Sequence, residues 1–233
     1  MLQKIILEIK SLENLEKAKI MQRFFKTGPG EYGEGDLFLG LTVPQQREIA
    51  KKYVGLNFPK IQKMLNSKIH EYRLVGILIL VYKFKKADEN LKGDIFNFYL
   101  ENAKKINNWD LVDISSHHIV GGFLFKKKKD ILYELAISEN LWERRISVVS
   151  CYYFIKQEEF RDALRIFEIL LKDKHDLIHK SVGWMLREVG KKDEEILLKF
   201  LEKHYLHLPR TTLRYAIEKF PFEKRKELLK GCF

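Results

Sequence analysis

The chain has 233 residues, 45% of them hydrophobic, so it is long and apolar enough to bury a core, which excludes a disordered polymer. Lys and Arg number 43 against 32 Asp and Glu, a formal charge of +11, which points to an anionic partner, nucleic acid before a membrane surface; the bland alternative is a Lys-rich proteome. The two cysteines, Cys151 and Cys232, stand in no metal-ligand spacing, which argues against a disulfide framework or a zinc site, and no metal or cofactor is expected.

The first twenty residues carry Glu8, Glu13 and Glu16 inside an apolar pattern and read as an amphipathic helix rather than a cleavable signal. The longest apolar run, Leu74 to Tyr82, is nine residues and too short for a bilayer, so a cytoplasmic protein with no membrane partner is expected.

Helical spacing of apolar residues predicts a long first helix from Leu2 to Phe25. Next comes Pro44 to Tyr53, with Thr42 as its N-cap before a Val-Pro start. Pro59 to Leu65, His70 to Phe84 and Leu91 to Ala103 follow, then Trp109 to Phe125, Asp130 to Ile137 and Leu141 to Ile155. Phe160 to Leu171, Leu177 to Val189, Glu194 to His204, Pro209 to Lys219 and a last helix from Phe222 complete the series. Short polar connections imply antiparallel neighbours, and no Pro/Gly/Ser-rich linker divides the chain, so one all-α domain over 1–233 is expected. The loop Thr27 to Asp36, with four glycines, lacks a following G-K-[ST], and Glu31, Glu34 and Asp36 would repel phosphate. A flexible loop at the edge of a groove suits it better than a phosphate cradle.

A column of basic and aromatic residues recurs along the chain: Arg73, Trp109, Arg145, Lys180, Arg214, at spacings of 36, 36, 35 and 34. One turn further on stand Ile77, Asp113, Val149, Trp184 and Glu218. Such a period in a helical chain is the pattern of stacked helix pairs, a superhelical solenoid of HEAT-like repeats presenting a concave basic groove. Asp113 is then either an inter-repeat ion-pair partner of Arg145 or a reactive carboxylate in that groove. Trp109 and Trp184 are either core or groove residues, and Trp142, outside the column, is assigned to packing. Asp110 fits the dipole at its helix start. His117 and His118 lack metal spacing and are assigned to core or supporting roles.

The W-D-x-V-D of Trp109 to Asp113, the W-x-x-R of Trp142 to Arg145 and the K-x-x-G-W-x-L-R-E of Lys180 to Glu188 resemble the HEAT-like-repeat DNA alkylation repair glycosylases of the AlkD type. The likeness in order and spacing runs nearly the whole chain. It implies removal of N3- and N7-alkylated purines from duplex DNA; a monomer without a cofactor is expected. The family's carboxylate falls on Asp113, its sugar-facing tryptophans on Trp109 and Trp184, and its phosphate-contacting arginine on Arg145. Lys180, Arg73, Arg214 and Arg187 are expected on DNA as well. Where some members carry tyrosine in the first helix, M-x-R-F here gives Phe24, which can stack or pack on DNA but offers no hydroxyl.

A purine alkylated at N3 or N7 is already cationic and needs no protonation to leave. The sugar acquires oxocarbenium character, which one fixed carboxylate can stabilise while orienting water. A non-catalytic helical adaptor for nucleic acid or an acidic protein explains the basic column equally well, but not a carboxylate between two tryptophans.

Overall fold

The computed structural model describes residues 1–233 and is helical nearly throughout, as expected; the sole strand-like feature is an isolated bridge between Leu37 and Ile69. It divides into two compact units, Met1–Ser115 and Ser116–Phe233. No helix is long and apolar enough to cross a membrane.

The first unit contains α1 (Leu2–Ser11), α2 (Leu15–Phe24), α3 (Val43–Lys52), α4 (Phe58–Leu65), α5 (His70–Lys86), α6 (Glu89–Glu101) and α7 (Trp109–Asp113). Helix α5 is its axis, packed by α1, α3, α4, α6 and α7 and buried on almost every side. The expected single helix from Leu2 to Phe25 is two helices. Asn14 breaks it, because its side chain caps α2 by accepting from the Lys17 N–H at 2.9 Å while its own N–H donates to the Leu39 carbonyl. Thr42 starts α3 as expected, with the Gln45 side chain returning to the Thr42 N–H at 2.8 Å.

The segment before α3 is fastened to the start of α5. The fully buried Glu71 carboxylate accepts from the backbone N–H groups of Leu39, Gly40 and Leu41, and the His70 N–H donates to the Leu37 carbonyl. Gly40, at φ +88°, passes so close to α2 that a Cβ would lie 2.2 Å from the Asn14 carbonyl oxygen.

The second unit opens with a π-helical turn, His117–Gly121, and continues through α8 (Gly122–Leu124), α9 (Asp130–Ala136), α10 (Leu141–Lys156), α11 (Arg161–Leu170), α12 (Asp176–Gly190), α13 (Glu194–His204), α14 (Arg210–Ala216) and α15 (Phe222–Lys230). The helix expected from Trp109 to Phe125 is therefore interrupted. Just after α7 the Ser115 hydroxyl donates back to the Leu111 carbonyl at 2.5 Å, a local competitor of the backbone ladder. Helix α10 is central here, packed by the π-helical turn, α9, α11 and α12. At Gly121 a Cβ would lie 2.3 Å from the Ser150 carbonyl oxygen, so this close approach to α10 needs glycine.

Candidate nucleic-acid interface

In the first unit, α7 starts at the Asn108 side chain, which accepts from the Trp109 N–H at 2.8 Å, and ends at Asp113. One helical turn thus separates indole and carboxylate on one face, and both are half-buried. The Trp109 ring lies on Phe25, with centroids 5.2 Å apart and planes at 21°, and meets Phe24 edge-on at 5.9 Å. Phe24 itself is 63% exposed, so an aromatic face stands beside Trp109 at the surface. The Tyr32 hydroxyl accepts from the Trp109 indole N–H at 3.2 Å. Asp113 lies near enough to buried Tyr99 to matter electrostatically. Burial pushes the Tyr99 phenol up, its hydrogen bond to Ser115 opposes this, and the Asp113 charge adds to the rise, keeping Tyr99 neutral.

Beneath Trp109 lies a buried charge cluster that the sequence did not reveal. Asp36 of the glycine loop accepts from Arg73 at 2.5 Å and lies 3.4 Å from His70 Nδ1. His70 Nε2 lies 2.8 Å from the Asp110 carboxylate. Burial alone would lower the His70 pKa, but the charge and hydrogen bond of Asp110 and the hydrogen bond to Asp36 outweigh it and raise it from 6.5 to about 9. Burial likewise opposes ionisation of Asp36, yet His70 and Arg73 hold its pKa below the usual value. Near neutral pH the cluster contains two cations and two anions, the balanced arrangement that buried charge requires.

Several expectations are corrected here. Arg73 is 3% exposed, with one guanidinium nitrogen on Asp36 and the other on the Ser67 carbonyl, so it does not face an open groove. Its neighbour in the partner column, Ile77, is fully buried, because α5 is enclosed from His70 to Val81. Arg145 is also buried, donating to the Leu177 carbonyl at 2.5 Å, and Val149 is core. The repeat column is thus not a uniform exposed stripe: on the central helices α5 and α10 it points inward. Arg187 is engaged by Glu218 and Glu188. The loop 27–36 is fastened at two points, since Asp36 is buried and a Cβ at Gly33 would lie 2.5 Å from the Phe25 carbonyl oxygen, while Pro29 to Glu31 are exposed. Asp110 does accept from the adjacent Leu111 N–H, but its second oxygen belongs to His70.

Other residues fall where a ligand can reach them. In the second unit Trp184 is half-buried beside Tyr152, ring centroids 6.2 Å apart, and Tyr152 meets His117 edge-on at 5.4 Å. Gly183 permits this part of α12 to lie on α14, where a Cβ would come within 2.6 Å of the Thr212 carbonyl oxygen. Lys180 has a 40% exposed side chain and forms a surface pair with Asp176 at 2.7 Å. Arg214 is exposed and lines a shallow depression with Arg225, Lys226 and Phe222. Trp142 is core, at 6% exposure.

Residues 5–220 match the family model described as DNA alkylation repair enzyme. The chain belongs to that family. Its role is accordingly in alkylation repair, with DNA as the substrate. Among solved structures it is similar to a predicted DNA alkylation repair enzyme from Enterococcus faecalis, at a TM-score of 0.71 and 16% identity over 90% of this chain and 97% of that one, a likeness of fold. No curated protein matches the chain.

Proposed function

We propose that this protein is a monofunctional DNA glycosylase that hydrolyses the N-glycosidic bond of cationic N3- or N7-alkylated purines in duplex DNA. The observation that carries this reading is α7, which presents Trp109 and Asp113 one turn apart, both half-buried, with exposed Phe24 against the indole. Asp113 stabilises the oxocarbenium-like sugar and orients water. The face of an indole attracts the cationic nucleotide by about 0.5–2 kcal/mol. Within residues 116–233, Trp184 is assigned to contact with a damaged nucleotide, and Lys180 and Arg214 to duplex phosphates. Arg145, buried as it is, is assigned to supporting the N-terminal turn of α12 through the Leu177 carbonyl.

The test is single-turnover incubation with duplex DNA containing N7-methylguanine, with chromatographic detection of free base. Release by the wild type and its loss in Asp113→Asn support the reading. Binding without release leaves a DNA-binding adaptor.

A further inference from the structure

The glycine loop 27–36 reaches the tip of one proposed catalytic side chain. We propose that Tyr32 is the positioning residue of Trp109: its phenol oxygen takes the indole N–H and fixes the rotation of the ring over Phe25, so the loop acts on the reaction through Trp109. This rests on the role given to Trp109 above.

An indole has a single polar atom, a donor, and a partly buried one needs an acceptor. The Phe25 stack, with planes at 21°, fixes the plane of the Trp109 ring but not which edge points where. The 3.2 Å bond from Nε1 to the Tyr32 hydroxyl supplies the missing restraint. It is effective only if Tyr32 is itself held, and three features hold its loop. The Gly33 N–H donates to the Lys26 carbonyl at 3.0 Å, and the close contact of Gly33 with the Phe25 carbonyl excludes any side chain there. Asp36, at the end of the loop, is clasped by Arg73 and His70. His70 also grips Asp110, the residue following Trp109, at 2.8 Å. The loop therefore reaches α7 twice, at the indole tip through Tyr32 and at the Asp110 carboxylate through Asp36 and His70. The 2.8 Å contact between His70 and Asp110 completes the second route.

The experiment combines a spectroscopic and a kinetic measurement on the full chain. Trp109, Trp142 and Trp184 give three indole N–H resonances in a nitrogen-15 spectrum, and Trp109→Phe assigns the first. In Tyr32→Phe the Trp109 resonance alone is expected to move and to exchange faster with solvent. Base release in a single turnover should slow about 3–10-fold, the loss of one neutral hydrogen bond, with duplex affinity unchanged. In a Trp109→Phe background the same substitution should cost nothing further, since phenylalanine has no N–H to hold. An unmoved resonance, or additive slowing in the double variant, overturns the proposal. If the wild type releases no base, the glycosylase assignment falls instead; if Trp109→Phe releases it at the full rate, the role given to Trp109 falls. The resonance then decides alone whether Tyr32 holds the ring: a shift upholds it and no shift overturns it.

Discussion

Asp110 and Asp113 stand three residues apart on one five-residue helix and keep different company: Asp110 holds the His70 ring at 2.8 Å, while Asp113 adds its charge to the environment of buried Tyr99. Asp110 is committed to a structural cation. Asp113 is half-buried at the end of α7, and its proposed role at the sugar rests on its place one turn from Trp109.

Asp113→Asn keeps the shape of the side chain and removes its charge. Release of N7-methylguanine is expected to fall by roughly 10²-fold or more, as when an electrostatic stabiliser of a transition state is removed. Duplex affinity should hold or rise, because a charge that repels phosphate has gone. Asp110→Asn should show the opposite pattern, a lowered melting temperature from an unpaired His70 cation and a smaller loss of release. Single-turnover rates, affinities and melting curves of both variants separate the two roles. Release by Asp113→Asn at the wild-type rate would falsify the mechanism.

Arg73 and Lys180 fall in one sequence column but in different environments, so their neutralisation should differ in kind. Arg73→Met leaves Asp36 buried without its closest cation and should destabilise the fold by about 3–5 kcal/mol, with the salt dependence of DNA binding unchanged. Lys180→Gln removes an exposed charge, and stability should hardly change. The slope of log affinity against log salt should flatten by about one unit, equally for all duplex sequences. Urea unfolding and a salt titration of binding check both. A flattened slope in Arg73→Met would return Arg73 to the DNA surface.

Trp142→Ala empties a core site on α10 and should cost about 3–5 kcal/mol of stability. Trp184→Ala, truncating a half-buried ring beside Tyr152, should lower base release far more than it lowers the melting temperature. Equal melting losses in the two variants would make Trp184 a packing residue.

The helices were legible because their apolar spacing is regular, and Thr42 and Asn108 mark their starts through local side-chain bonds. Two breaks were not. Asn14 and Ser115 stand at breaks in continuous apolar patterns, where their local hydrogen bonds are something periodicity does not register. The spacing of Trp109 and Asp113 predicted their shared face, but the same spacing placed Arg73 in the open because it gives direction around a helix and not whether that helix is enclosed. The Asp36, His70, Arg73 and Asp110 cluster joins residues 34 to 40 positions apart, and the Trp109 to Tyr32 bond spans 77. Asp36 and Tyr32 sit in a stretch whose glycines and acids read as solvated loop, and no periodic signal links that stretch to α7.

The His70 cluster makes stability depend on pH in a defined direction. The folded-state pKa is raised, from 6.5 to about 9, so the folded chain keeps a proton that the unfolded chain releases. A raised histidine contributes its full stabilisation below the unfolded value, and that contribution fades as pH climbs toward the folded one. Between pH 6.5 and about 9 the loss should reach at most about 1.4 kcal/mol per pH unit, the linkage of one proton. Asp36 works at the other end: its lowered pKa contributes stability above the unfolded carboxylate value that is lost only in acid, outside this window. Other groups also titrate near neutrality, so the informative quantity is the difference between wild type and His70→Gln, which keeps a polar side chain but cannot carry the charge. Unfolding free energies of both proteins should be measured in urea at half-unit steps from pH 6 to pH 10. The wild type should be the more stable at pH 6, and its advantage should shrink steadily through the window and level off above pH 9. A difference that stays constant with pH would mean that His70 is neutral in the folded protein, held by Asp110 through an uncharged hydrogen bond.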